Sequence, residues 1–280
     1  MAKPKLLGKS NSKSVISISS KNHFDKFSTV KEAISLLIKH PVLFLPKLLI
    51  AIIYGYSTLI SISLVQQMVI LYTTAPEQVD ISILQDFFMS AIFLLILTVI
   101  SFFVDLIFSG FYPILVNHAL KGKINFLKAF SEFKPRIIPL LISGVLIWLL
   151  ITLVSVIEAI VLLNFNFSEL SLIVSFIVSF LFIFLFYFLY PIIAFKHKGI
   201  WANFAENFKE SLSNKKTVFF YSLIPFSVSI IKFIIAFFSS DTAVLLIFWI
   251  LVIVTAKVYT IHVVVNQLVF LKTQKKNKSA

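Results

Sequence analysis

Six stretches of this chain abandon any alternation of polar and apolar positions: Leu48 to Tyr72, Phe87 to Val116, Ile137 to Leu163, Leu170 to Phe195, Val218 to Phe238 and Thr242 to Phe270. Apolar runs of at least about 18 residues predict membrane-spanning helices. Three shorter segments keep the helical period instead. In the first, Val30, Ile34, Leu37 and Ile38 form an apolar stripe that stops at Pro41, and Thr29 with Glu32 is placed to form a capping box. In the second, Phe126, Phe130 and Phe133 recur at helical spacing, with Lys123, Lys128, Ser131 and Glu132 elsewhere round the helix. In the third, Trp201, Phe204, Phe208 and Leu212 do the same against Asn203, Glu206, Asn207 and Lys209. Such segments predict amphipathic helices lying flat in the membrane interface, although the same faces would suit a partner's groove.

The short and long segments fall into a repeating order. Shifting the chain by 78 residues aligns Tyr112-Pro113-Ile114 with Tyr190-Pro191-Ile192 and, in the same register, Asn125, Phe126, Phe130 and Glu132 with Asn203, Phe204, Phe208 and Glu210. Tyr259-Thr260-Ile261 is a looser third copy. Identities held in one register favour duplication. The fold expected is all-α and integral to the membrane: six transmembrane helices in three parallel repeats, each a short amphipathic helix followed by two spans. The repeats run about 23–120, 121–196 and 197–271, between a basic arm at 1–22 and a basic tail at 272–280.

Composition agrees with this and charge adds an orientation. The chain has 280 residues, 59% hydrophobic and 13% charged, too few polar groups to cover so large an apolar content in water. Its formal charge of +13 could suggest nucleic acid, but the distribution argues against that. Basic residues cluster in 1–47, 121–136, 196–216 and after Leu271, while the intervening loops Thr73 to Asp86, Asn164 to Glu169 and Ser239 to Asp241 carry only acids. Basic short loops mark the cytoplasmic side, which predicts a multi-pass cell-membrane protein with both termini cytoplasmic. The lysine-rich arm suits anionic lipid headgroups, and the absence of a leading apolar segment argues against a cleaved signal peptide. No cysteine is present, so disulfides and thiolate chemistry are excluded.

Candidate chemistry is sparse. Asp105, Glu158, Lys232 and Lys257 lie within the spans, where ionisable groups are costly and commonly functional. Matched by depth, they predict ion pairs Asp105–Lys257 and Glu158–Lys232, with snorkelling of the lysines as the competing expectation. Tyr112, Tyr190, Tyr259 and Trp201 are expected as interface anchors, with each proline bending a helix where it leaves the membrane and each following glycine turning the chain. His118, His197 and His262 could meet near the inner ends of the spans, but their spacing has no metal-ligand signature. Gly8-Lys9-Ser10 lacks the upstream glycine of a phosphate-binding loop, and no nucleophile elbow or zinc-protease motif occurs. With six glycines in the chain, helix packing is expected to rely on serine and alanine. No cofactor is called for.

The Glu32-Ala33-Ile34-Ser35 segment leading to Pro41, the Tyr-Pro-Ile joints followed by Lys121-Gly122 and Lys198-Gly199, and the pairs Phe126/Phe130 and Phe204/Phe208 together resemble a family of prokaryotic six-span membrane proteins. One branch is similar to the membrane domain attached to some glycerophosphodiester phosphodiesterases. The resemblance implies a compact helical bundle and no assigned reaction. The function expected is non-enzymatic, a scaffold or partner subunit for a membrane or cytoplasmic protein, with amphipathic helices at the cytoplasmic face. The alternative is a carrier or channel for a small solute or lipid that uses Asp105, Glu158, Lys232 and Lys257.

Overall fold

The computed structural model describes residues 26–73, 81–164, 171–196, 198–238 and 243–279, and these are helical apart from short turns. In chain order the helices are α1 (Lys26–Lys39), α2 (Leu45–Thr73), α3 (Ile81–Leu120), α4 (Phe126–Phe133), α5 (Ile137–Asn164), α6 (Ser171–Leu185), α7 (Leu189–Phe195), α8 (Ile200–Ser213), α9 (Lys215–Phe238) and α10 (Ala243–Ser279). A 3₁₀ turn at Pro41–Phe44 joins α1 to α2, and another at Lys134–Arg136 joins α4 to α5. The expected arm at 1–22 lies outside the described residues. The expected tail from 272 is the end of α10, which stays helical to Ser279.

Five helical stretches are long and apolar enough to cross a membrane: Pro41–Leu71, Ile81–Leu120, Phe126–Glu158, Ile173–Phe195 and Phe248–Lys275. The chain is therefore a multi-pass helical membrane protein. The stretch Val218 to Phe238 falls on α9, whose side chains beyond Ser227 lie outside the described residues.

Burial divides the long helices into two zones. On α3 the exposed large apolar side chains run from Ile81 to Phe103, and on α10 the last of them is Val254. Beyond those points Leu106 to Ala119 of α3, Tyr187 to Ala194 around the start of α7 and Val264 to Phe270 of α10 pack into one core, joined by Ala33 and Leu37 of α1 and Ala129 and Phe133 of α4. We call this end the base of the bundle. With 40 residues, α3 is about 60 Å long at the helical rise of ~1.5 Å, roughly twice the thickness of a hydrocarbon core. One part of it is a lipid-facing rod and the remainder belongs to the packed base.

Local chemistry explains how the pieces begin and end. Helix α3 stops where Gly122 adopts φ 88°, which places its N–H 2.9 Å from the Ala119 carbonyl. Gly199 differs, having ordinary extended geometry ahead of α8, so the two joints are unlike in detail. Asn125 caps α4 by accepting from the Lys128 N–H at 2.9 Å. The capping box expected at Thr29 and Glu32 does not form, because α1 begins earlier, at Lys26. Both residues point into the bundle and are used there.

Helix packing corrects the expectation about glycine. Gly110 of α3 faces Leu140 of α5, and Gly144 of α5 faces Leu106 of α3, so that at either glycine a Cβ would run into the opposing leucine. The contact is reciprocal: each helix offers one gap and one filler. Both leucines are buried and have little room to swing aside. Gly110→Ala or Gly144→Ala is thus expected to cost about 1–3 kcal/mol through overpacking. Gly199→Ala, where nothing lies within 4 Å of the added carbon, should change little. Thermal unfolding of the purified protein in detergent checks both.

Candidate functional site

The sequence places Lys47 in the first turn of α2, directly after the 3₁₀ turn, where its long side chain is carried into the base rather than out to water. A lone ammonium in such surroundings is strongly disfavoured. Lys47 donates to Asp105 Oδ1 at 2.6 Å and to Ser109 Oγ at 2.7 Å, and its side chain is only 8% exposed against 32% for Asp105. Asp105 and Ser109 are one turn apart on α3, and the serine also reaches the carboxylate, at 3.3 Å. Three residues further along, the Tyr112 hydroxyl donates to the Leu43 carbonyl at 2.6 Å. One face of α3 therefore holds the whole corner between α1 and α2.

This arrangement assigns Asp105 to Lys47, a residue that the charge pattern had placed among the cytoplasmic bases, and the expected pair Asp105–Lys257 does not form. Lys257 is exposed on α10. The physical reason is geometric: antiparallel α2 and α3 bring Lys47 level with Asp105, and depth along the sequence cannot show which helices are neighbours. Glu158 accepts from Ser175 of α6 at 2.5 Å. The side chain of Lys232 lies outside the described residues, as does His197. Tyr112 is buried completely and anchors helix to helix, not chain to headgroups. Tyr190 and Tyr259 are half-buried, and Trp201 is 76% exposed.

Two further tyrosines belong to helices that carry the ion pair or pack on it. Tyr54 lies two turns beyond Lys47 on the same face of α2, and Tyr190 belongs to α7, which packs on α3.

The fourth long stretch is interrupted, and the interruption organises the opposite side of the base. Proline has no N–H for the carbonyl four residues back, so Pro191 frees the Tyr187 carbonyl. The helix breaks between Leu185 and Leu189. Asn266 of α10 donates its amide to the Tyr187 carbonyl. Asn207 of α8 donates to the Leu185 carbonyl at 2.7 Å and accepts from the Phe188 N–H at 3.0 Å. Two asparagines thus replace the missing turn. The buried line of α8 is consequently Asn203, Asn207 and Ser211, whereas the sequence pattern had turned its asparagines outward; Phe204 and Phe208 flank that line against Phe186. Beside the break the Tyr187 and His262 rings meet at 5.6 Å, and the Tyr187 hydroxyl, His262 Nδ1 and Asn266 Oδ1 have no hydrogen-bond partner among the described residues.

Each short helix is also pinned to the base by an acid. Glu32 of α1 pairs with Lys272 of α10 at 2.7 Å, and the same ammonium donates to Thr29 at 2.9 Å. Glu132 of α4 meets His118 of α3 at 3.1 Å. Glu206 of α8 binds Lys196, and Lys198 at 2.9 Å, beside the end of α7. Burial of Glu206 acts to raise its pKa, but hydrogen bonds and charge from Lys196 and Lys198 outweigh it and hold the carboxyl below its ordinary value of 4.5. No group of metal-ligating side chains occurs among the described residues.

Compared with protein-family models, curated proteins and solved structures, the chain matches none. The residues that sequence reasoning missed are Lys47, Asn207 and Asn266. Pro191 was a usable signal for the two asparagines, since a proline-freed carbonyl in an apolar core requires a donor from elsewhere.

Two outcomes follow from these contacts. Lys47→Met should cost about 2 kcal/mol, below the ~3–5 of a fully buried pair because Asp105 is partly exposed. Adding Asp105→Asn should recover part of that loss, as read from denaturant unfolding in a double-mutant cycle. Because Glu206 has a lowered folded-state pKa, it stabilises above pH 4.5 and its contribution is lost as pH falls through the folded value. The Tm gap between wild type and Glu206→Gln should be widest at neutral pH and close in acid.

Proposed function

We propose that this protein is a non-enzymatic membrane scaffold or partner subunit: six spans in three parallel units, both termini cytoplasmic, with three interfacial helices held rigidly to the base. The observation that carries this reading is the set of latches Glu32–Lys272, Glu132–His118 and Glu206–Lys196/Lys198. Charged and polar side chains that a conducting protein would gather along a path fix short helices here. Asp105, Glu158 and Lys257 go to separate places, which argues against one charged pathway through the bundle. Element order supports the three units, since a short helix precedes two long stretches each time, the last stretch of the second unit being broken into α6 and α7. The basic loops support the orientation.

The short helices also carry apolar groups turned away from the base: Ile38 on α1, Leu127 on α4 and Trp201 on α8 are 74%, 86% and 76% exposed. Inserted among lipid headgroups they would seat the three helices in the interface, and Lys31, Lys128 and Lys209, also exposed, would face anionic lipid or a partner. A carrier for a small solute or lipid is the second reading, favoured by the unpartnered polar atoms of Tyr187, His262 and Asn266 beside a broken span.

Photoreactive residues placed in living cells test the scaffold. At Leu127 and Trp201 they should yield lipid adducts, and at Lys31, Lys128 and Lys209 discrete protein adducts. Only lipid adducts, or none, from the three lysine positions would overturn it.

A further inference from the structure

The broken fourth stretch and the unbroken second one carry the same Tyr-Pro-Ile. Proline alone therefore does not break a span in this chain, since α3 runs through Pro113 without interruption. Local propensity does not explain the difference either. Shifted by 78 residues, the break at 186–188 falls on 108–110, where Gly110 is a poorer helix former than Phe188. The stretch better suited to a break is the one that stays whole.

What differs is the short helix beside each. In the same register Asn207 of α8 stands where α4 has Ala129, and both positions are completely buried. Each short helix lies against its stretch through aromatic rings, Phe130 and Phe133 on Phe111, and Phe204 and Phe208 on Phe186. The alanine has nothing to offer the backbone, whereas the asparagine has both a donor and an acceptor. In an unbroken α-helix the Phe188 N–H would bond the Phe184 carbonyl, and the Leu185 carbonyl would accept from the Leu189 N–H. Asn207 takes one group from each of those bonds, since its Oδ1 accepts from the Phe188 N–H at 3.0 Å and its amide donates to the Leu185 carbonyl at 2.7 Å. The Leu189 N–H turns instead to the Phe186 carbonyl at 3.1 Å. The Tyr187 carbonyl stays outside this exchange, because Pro191 leaves it free whether the helix is broken or whole.

We propose that α8 is a splint that selects between two states of this span: broken while Asn207 is seated, and one continuous helix when Asn207 is withdrawn. The states exchange two bonds to a side chain for two bonds along the helix, so the backbone groups that Asn207 holds have partners in both. Because α7 packs on α3 and α10, closing the break shifts it against both, and a displacement of α8 is passed to the centre of the base. The device does not depend on what occupies the outer face of α8, and so stands apart from the scaffold reading.

Solid-state NMR of the full chain in lipid bilayers reads the joint directly. Tyr187-Phe188 is the only Tyr-Phe step in the sequence, so isotope labels on tyrosine carbonyls and phenylalanine nitrogens isolate one peptide bond. In the wild type its shifts should report the broken backbone, with Phe188 at ψ 5°. In Asn207→Ala they should move to helical values, with ψ about −42°. Asn207→Ser, whose side chain is too short to hold both groups, should move them the same way, folding of each variant being checked by its melting transition in detergent. A folded variant that keeps the wild-type signal would overturn the proposal. Failure of both variants to fold would overturn it as well, because the continuous helix is then not a state this span can take.

Discussion

Lys47 is the point on which the base depends. An ammonium taken out of water is tolerated only when its charge and its donors are met, and Asp105 and Ser109 meet them from a single face of α3. That requirement fixes the level of α2 against α3. Once the level is fixed, Tyr112 falls opposite the Leu43 carbonyl and the chain between α1 and α2 has one allowed course. Helix α1 then lies where Thr29 and Glu32 can reach Lys272 at the far end of α10. The first and last helices of the described chain are joined through contacts that begin with one buried lysine.

The second organising constraint is the backbone around Pro191. A carbonyl freed inside an apolar core must find a donor, and no water-facing route exists for Tyr187, which is 3% exposed. Asn266 and Asn207 supply the bonds from α10 and α8. This explains why a short helix rich in polar residues is drawn against the bundle instead of lying with its polar line in water. At Pro113, by contrast, the helix is not broken and α3 continues through it. Two copies of the same tripeptide therefore do different work, and the difference lies in which helices stand beside them.

Helix approach follows a third rule. In the lipid-facing zone the helices touch lipid more than each other, as the run of exposed side chains on α3 and α5 records. In the base they approach closely, and Gly110 and Gly144 permit the closest contact between α3 and α5. A count of glycines missed this, because two residues far apart in sequence form one interlocking contact only after the helices are set side by side.

The sequence by itself determined the membrane class, the position of the long apolar helices and the residues whose burial would be costly. Those properties depend on composition and on local period, which a single chain carries in full. Asp105 was legible as a residue of interest for the same reason. Only the tertiary structure decided that its partner is Lys47, that Tyr112 is a core residue and that the asparagines of α8 face inward. Partnership inside a bundle depends on which helices are neighbours and at what height. That information sits in contacts between residues 58 to 79 positions apart, as for Lys47 with Asp105 and Tyr187 with Asn266, and no local pattern records it.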